Sequence, residues 1–155
     1  MTKKRNDKDL QAIEQAHDAH HFALAVELSR RYRVTYPEDV EGLWLYGLSL
    51  YYVDRNVEAK QQLETALPLV SAAFRSRVLS YLARLCQDAG TLSEAERYYV
   101  QAIAAEPNDA ENFINLGSLL LASGRIAEAQ TVCQQGLEAK ASPLADLHFF
   151  QGKLH

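Results

Sequence analysis

GTLSEAERYYVQAIAAEPNDAENFINLGSLLLASGRIAEA, residues 90–129, is the stretch that decides the fold. Gly90 recurs as Gly124 and Ala95 as Ala129, each 34 residues on. Between these points run two apolar stripes of helical period. Ala95, Tyr99, Ala102 and Ile103 precede Pro107, and Phe113, Leu116, Gly117 and Leu120 follow it. The glycines suit the left-handed conformation that ends a helix. Thr91 with Glu94, and Asn108 with Glu111, read as capping boxes at the next helix starts.

Working outward, the same register reaches most of the chain. Ala25, Ala59, Ala95 and Ala129 are spaced by 34, 36 and 34 residues. Gly47, Ala83 and Gly117 follow at 36 and 34, as do Ala66, Ala102 and Gly136. Three series thus agree on a two-residue insertion near Ala72 to Arg75. Small residues at these points let the two helices of a hairpin approach closely. Tyr32 is the exception, a bulky ring in the column that holds Ala66, Ala102 and Gly136.

Each repeat predicts two helices. The first pair covers about Lys8–Ala19 (Leu10, Ile13, Ala16) and Phe22–Thr35 (Phe22, Ala25, Leu28), closed by Tyr36-Pro37. The second runs from Val40 to about Leu69 on Leu43, Tyr46, Gly47, Leu50, Ala59, Leu63 and Ala66. The third spans about Ser76–Ala105 and the fourth about Ala110–Lys140. The division is a polar lead-in 1–7, an array 8–141 (8–39, 40–73, 76–109 and 110–141), and a terminal segment 142–155. Ser142-Pro143 opens that last helix, whose Leu147, Phe150 and Leu154 match the core positions of another first helix. It is expected to cap the last hairpin, or else to be the start of a fifth repeat, with Phe149 left exposed.

A 34-residue helix–turn–helix unit carrying Leu116-Gly117, Leu82-Ala83 or Tyr46-Gly47 in its first helix, and Ala129, Ala95 or Ala59 in its second, resembles the tetratricopeptide repeat. The resemblance covers about residues 8–141. It implies an all-α, right-handed superhelical solenoid of about four hairpins plus a C-terminal capping helix. It also implies a concave face lined by the first helix of each hairpin.

Rotating away from the core stripe gives the residues of that face. They are Asp7, Leu10, Glu14 and His17; Glu41, Trp44, Leu48 and Tyr51; Arg77, Ser80, Arg84 and Gln87; and Glu111, Ile114, Ser118 and Leu121. The last helix adds His148. Trp44, Leu48 and Tyr51, with neighbouring Tyr52, are apolar where solvent would favour polar residues. Beside Arg77 and Arg84 they suggest a peptide anchor, because Trp, Tyr and Arg dominate interface hot spots. The expected peptide groove is therefore Trp44, Leu48, Tyr51, Tyr52, Arg77, Arg84, Gln87, Ile114, Ser118 and Leu121, suited to an acidic, apolar segment. The Lys and Asn clamp with which co-chaperone relatives hold a carboxyl terminus is missing from the first inner stripes, which disfavours chaperone tails as ligands.

Composition narrows the alternatives. The 155 residues are 48 % apolar and 23 % charged with a net charge of −4, which suits a globular chain and not a nucleic-acid binder. No apolar run reaches the ~20 residues of a membrane span, and MTKKRNDKDLQ has no apolar core of a signal peptide behind its charges. Lys3, Lys4, Arg5 and Lys8 read as a solvated end. Two cysteines, Cys86 and Cys133, make no disulfide framework, so a cytoplasmic setting is expected. His17, His20 and His21 include an i, i+4 pair, but they straddle a turn and read as solvated histidines. Cys86 falls on a core stripe, far in sequence from any His. No catalytic residue, metal site or cofactor is expected. The reading is a protein-binding adaptor, for example in a bacterial assembly or secretion system. The alternatives are a self-assembling module that forms a homo-oligomer through the apolar groove or the C-terminal face, or an accessory domain of a larger protein.

Overall fold

A computed structural model describes residues 5–155, and its described residues are all-α. They divide into two compact units, one ending at Ser71 and the other beginning at Ala72. The first holds α1 (Asp7–Asp18), α2 (Phe22–Thr35), α3 (Val40–Tyr52) and α4 (Asn56–Ala66). The second holds α5 (Ala72–Asp88), α6 (Leu92–Ala105), α7 (Ala110–Ala122), α8 (Ile126–Glu138) and α9 (Leu144–Lys153). Consecutive helices pack as hairpins within each unit, and α9 lies against both α7 and α8.

The register in the sequence returns as backbone geometry. The turns α1–α2, α3–α4, α5–α6 and α7–α8 each hold a residue in the left-handed conformation, His20 (φ 57°), Asp54 (59°), Gly90 (79°) and Gly124 (75°), and Lys140 (54°) after α8 is a fifth. The spacing of the first four is 34, 36 and 34. One residue further on, the backbone N–H groups of His21, Arg55, Thr91 and Arg125 donate to the carbonyls of Ala16, Leu50, Cys86 and Leu120 at 2.8–3.0 Å. Each turn is therefore the same six-to-one helix stop. The two glycines were legible as stops; His20 and Asp54 fill the same role with side chains that strain it. Replacing Asp54 by Gly is expected to stabilise the first unit by about 0.5–1 kcal/mol, and Gly124→Ala to destabilise the second by about 1 kcal/mol. A Cβ at Gly124 meets nothing within 4 Å, so the change reads backbone strain alone. Urea denaturation checks both, and equal midpoints for Gly and Ala at position 124 would remove the argument.

Several expected boundaries shift. The Thr91 side chain does not cap α6; its hydroxyl donates to the Cys86 carbonyl at 3.0 Å and so closes α5. The N-cap of α7 is Asp109, whose carboxylate accepts from Glu111 N–H at 3.0 Å, in place of Asn108. The Asn108 carbonyl instead accepts from Ser142 N–H, and Ala110 N–H donates to Ser142 O, pinning the turn before α7 to the turn before α9. α5 begins at Ala72 and not near Ser76, because Ala72 and Ala73 are good helix formers and add a first turn. Pro143 stands as the N-cap of α9, just outside its first turn.

The small-residue columns act as expected in one place and differently in another. A Cβ on Gly47 would lie 2.8 Å from Leu63 Cδ2, at the crossing of α3 with its hairpin partner α4. On Gly117 it would lie 2.6 Å from Phe150 Cε1, so that glycine accommodates α9 and not α8. Gly136 makes room for both Phe113 and Leu147. Leu147, Phe150 and Leu154 are buried, and α9 covers the flank of α7 and α8 with them. Phe149 is exposed, with Lys153 Nζ 4.6 Å above its ring.

Candidate functional site

In the first unit the candidate residues lie on α3, and they do not all face solvent. Trp44 is only 6 % exposed, which corrects the expectation of an accessible indole anchor. Helix α3 is apolar through most of its circumference, so the stripe beside the core is itself largely buried. Leu48 and Tyr51 are half-buried, and Tyr52 is 41 % exposed.

Tyr52 belongs to an aromatic cluster that sequence spacing does not reveal. Its ring stacks on Phe22 at 4.4 Å and 10° between planes, with Tyr51 edge-on at 5.3 Å. His17 lies 5.7 Å from Phe22 and 5.9 Å from Tyr52. The cluster joins the end of α1, the start of α2 and the end of α3.

His17 is thus not the solvated histidine expected. It is half-buried, with Nε2 2.8 Å from Ser49 Oγ. Ser49 Oγ–H already donates to the Leu45 carbonyl at 2.7 Å, so His17 donates through its Nε2–H. Ser49 and Ser29, both buried, lie 3.3 Å apart and continue the network into α2. Burial holds the His17 imidazole below the usual histidine range, against weaker opposing effects of Leu45 and Asp18. Among the described residues no group of three or more His, Cys, Asp or Glu is placed to hold a metal ion. At the basic end, Lys3 and Lys4 lie outside the described residues, while Arg5 donates to Asp7 at 2.8 Å and to Glu41 at 2.5 Å.

In the second unit the candidate residues lie on α5 and α7, which side-chain contacts of Arg84 with Glu111 and of Ser80 with Asn112 link. Arg77 and Ser118 are exposed; Arg84, Gln87, Ile114 and Leu121 are half-buried. Arg77 and Arg84 are seven residues apart on α5, two turns along one side, or about 10 Å. Arg84 Nη2 donates to Glu111 Oε1 on α7, and its guanidinium sits 5.5 Å from the centre of the Tyr81 ring. The i, i+3 spacing of Tyr81 and Arg84 is the signal that could have found this pair. Gln87 is turned toward the hairpin partner, accepting from Tyr99 Oη–H at 3.2 Å. Ser80 donates to Asn112 Oδ1 at 2.9 Å, tying the face to a buried network beneath it.

Residues 87–154 match the family model described as tetratricopeptide repeat. No curated protein matches the chain in sequence. Among solved structures, the chain is similar to a crystal structure of MamA at 18 % identity and TM-score 0.77, over 86 % of this chain and 77 % of that one. It is similar to PilF of Pseudomonas aeruginosa at 17 % identity and TM-score 0.76, over 96 % and 72 %. It is also similar to PilW, described as a widely conserved type IV pilus biogenesis factor, at 19 % identity and TM-score 0.80, over 94 % and 67 %. At these identities the likeness is one of fold. Among the described residues no helix is long and apolar enough to cross a membrane.

Proposed function

The chain belongs to the tetratricopeptide-repeat family of protein-interaction scaffolds, and from that premise we propose that it is a non-catalytic adaptor holding a partner segment against the first helices of its hairpins. The observation that carries this reading is the face of α5 and α7. Exposed Arg77 on α5, with exposed Ser118 and half-buried Ile114 and Leu121 on α7, offers a mixture of cation, small polar residue and apolar surface. Such a face suits an extended segment with acidic and apolar residues. Leu48, Tyr51 and Tyr52 are proposed as a second contact, and Trp44 as buried support beneath them.

The setting we propose is a bacterial assembly or secretion system, by likeness to the type IV pilus biogenesis factor PilW. A reducing cytoplasm is part of that proposal, supported by the burial of both cysteines, Cys86 and Cys133, outside any disulfide. A second reading, self-association, is favoured by exposed Phe149 on α9.

The test compares co-purifying proteins for the wild type, for Arg77→Glu with Ser118→Arg, and for Val57→Arg on a different exposed surface. All three should give the same circular dichroism. A partner retained by Val57→Arg and lost by the double variant supports the adaptor. A partner indifferent to the double variant overturns the assignment of the α5–α7 face. Sedimentation velocity across a hundredfold concentration range decides the second reading, which requires Phe149→Ser to abolish any dimer.

A further inference from the structure

The cation on the α5–α7 face already has a carboxylate bound to it, and the two partners differ in how firmly they are held. The Arg84 side chain is 32 % exposed and lies against Tyr81, whereas that of Glu111 is 63 % exposed and reaches across from the first turn of α7. Arg77, two turns back on the same side of α5, is exposed and makes no ion pair among the described residues. Ile114, Ser118 and Leu121 continue from Glu111 along α7 at spacings of three, seven and ten residues, one helical stripe.

We infer that Glu111 is a built-in competitor: its carboxylate occupies Arg84 where a carboxylate of an acidic, apolar partner segment binds, and the partner must displace it. The inference rests on the α5–α7 face being the binding face. Arg77 supplies first capture, because it needs no displacement. Arg84 supplies discrimination, because an anionic group such as a carboxylate can replace the one it gives up and a neutral or cationic group cannot. Exposed pairs of this kind contribute little to folding, so the competitor is cheap to move. It still removes weak and uncharged ligands from the face.

The experiment uses fluorescein-labelled hexapeptides of alternating glutamate and leucine, with glutamine–leucine and lysine–leucine versions as controls, read by fluorescence anisotropy on the full chain. Glu111→Gln is expected to tighten the glutamate probe roughly two- to five-fold at low salt, the size of an exposed ion pair. The gain should vanish at 0.5 M salt and in an Arg84→Gln background. Tightening that persists with Arg84→Gln would overturn the inference, since Glu111 would then act by simple repulsion. Preference for the lysine probe, lost on Glu111→Gln, also overturns it, because Glu111 would be a ligand group. Binding of the glutamate probe that depends on Arg77 but ignores Glu111 sinks the competitor and leaves the face standing. Failure of the glutamate probe to bind wild type or Glu111→Gln, with no effect of Arg77→Gln, removes the face and the competitor together.

Discussion

Replacing Asn112 by alanine is expected to destabilise the second unit by about 2–4 kcal/mol, with a fall in melting temperature of roughly 5–15 °C. Asn112 is 2 % exposed on the buried side of α7. Its amide group donates to Ser76 Oγ at 2.9 Å and to the Ala102 and Glu106 carbonyls at 3.4 Å, while its oxygen accepts from Ser80 Oγ–H at 2.9 Å. One side chain thus joins α5, the end of α6 and the start of α7. Truncation takes the donor from the buried Ser76 Oγ and the acceptor from the half-buried Ser80 hydroxyl, and leaves a void besides. Thermal melts and hydrogen exchange of α5 and α7 check this. A loss under 1 kcal/mol would mean that water replaces the amide and the network is dispensable. Because Ser80 lies on the candidate face, the variant should also weaken partner binding beyond what its stability loss explains.

Asn112 shows what the sequence could and could not disclose. Its column in the register holds Gly42 and Val78, so an asparagine there is a departure that asks for a buried partner. The partner itself, Ser76, is 36 residues away and stands on the helix turn where the repeat spacing changes. Local periodicity identified the helices and the core stripes because burial of one helix face imposes a period that survives without any tertiary knowledge. Contacts between hairpins have no such period. Phe22 finds Tyr52 across 30 residues, and His17 finds Ser49 across 32, through packing that only coordinates reveal. The same limit explains Trp44. A stripe calculation assumes that one face of α3 is buried, whereas α3 is buried on most sides. On α5 and α7 the assumption was closer, and Arg77, Ser118 and Arg84 keep exposed or half-exposed positions there.

The strongest departure from the register yields the second large effect. Tyr32 stands where later repeats have Ala66, Ala102 and Gly136, yet it is buried, and the space comes from Gly42 on α3. A Cβ at position 42 would lie 2.5 Å from both Tyr32 Cδ1 and Cε1, closer than real contacts allow. Tyr36 packs beside it with ring centres 4.7 Å apart, so the ring has little freedom to yield.

Gly42→Ala is therefore expected to cost about 2–3 kcal/mol by overpacking, although the same change in an open helix gains about 1 kcal/mol of propensity. Tyr32→Ala should cost about 3–5 kcal/mol by leaving a cavity. With Ala at position 32, the Gly42→Ala change should become neutral or favourable, a coupling of about 2 kcal/mol or more measurable by urea denaturation of the four proteins. Additive losses would show that the ring and the glycine are not a matched pair.

The consequence reaches function through α3. Tyr32 sets how closely α2 approaches the start of that helix, and the far end of α3 carries Leu48, Tyr51 and Tyr52. A Gly42→Ala protein that still folds should thus separate the Tyr52 and Phe22 rings, seen as a changed near-ultraviolet dichroism. An unchanged aromatic signal would mean that the Phe22–Tyr52 stack, not the Tyr32–Gly42 pair, positions the exposed end of α3.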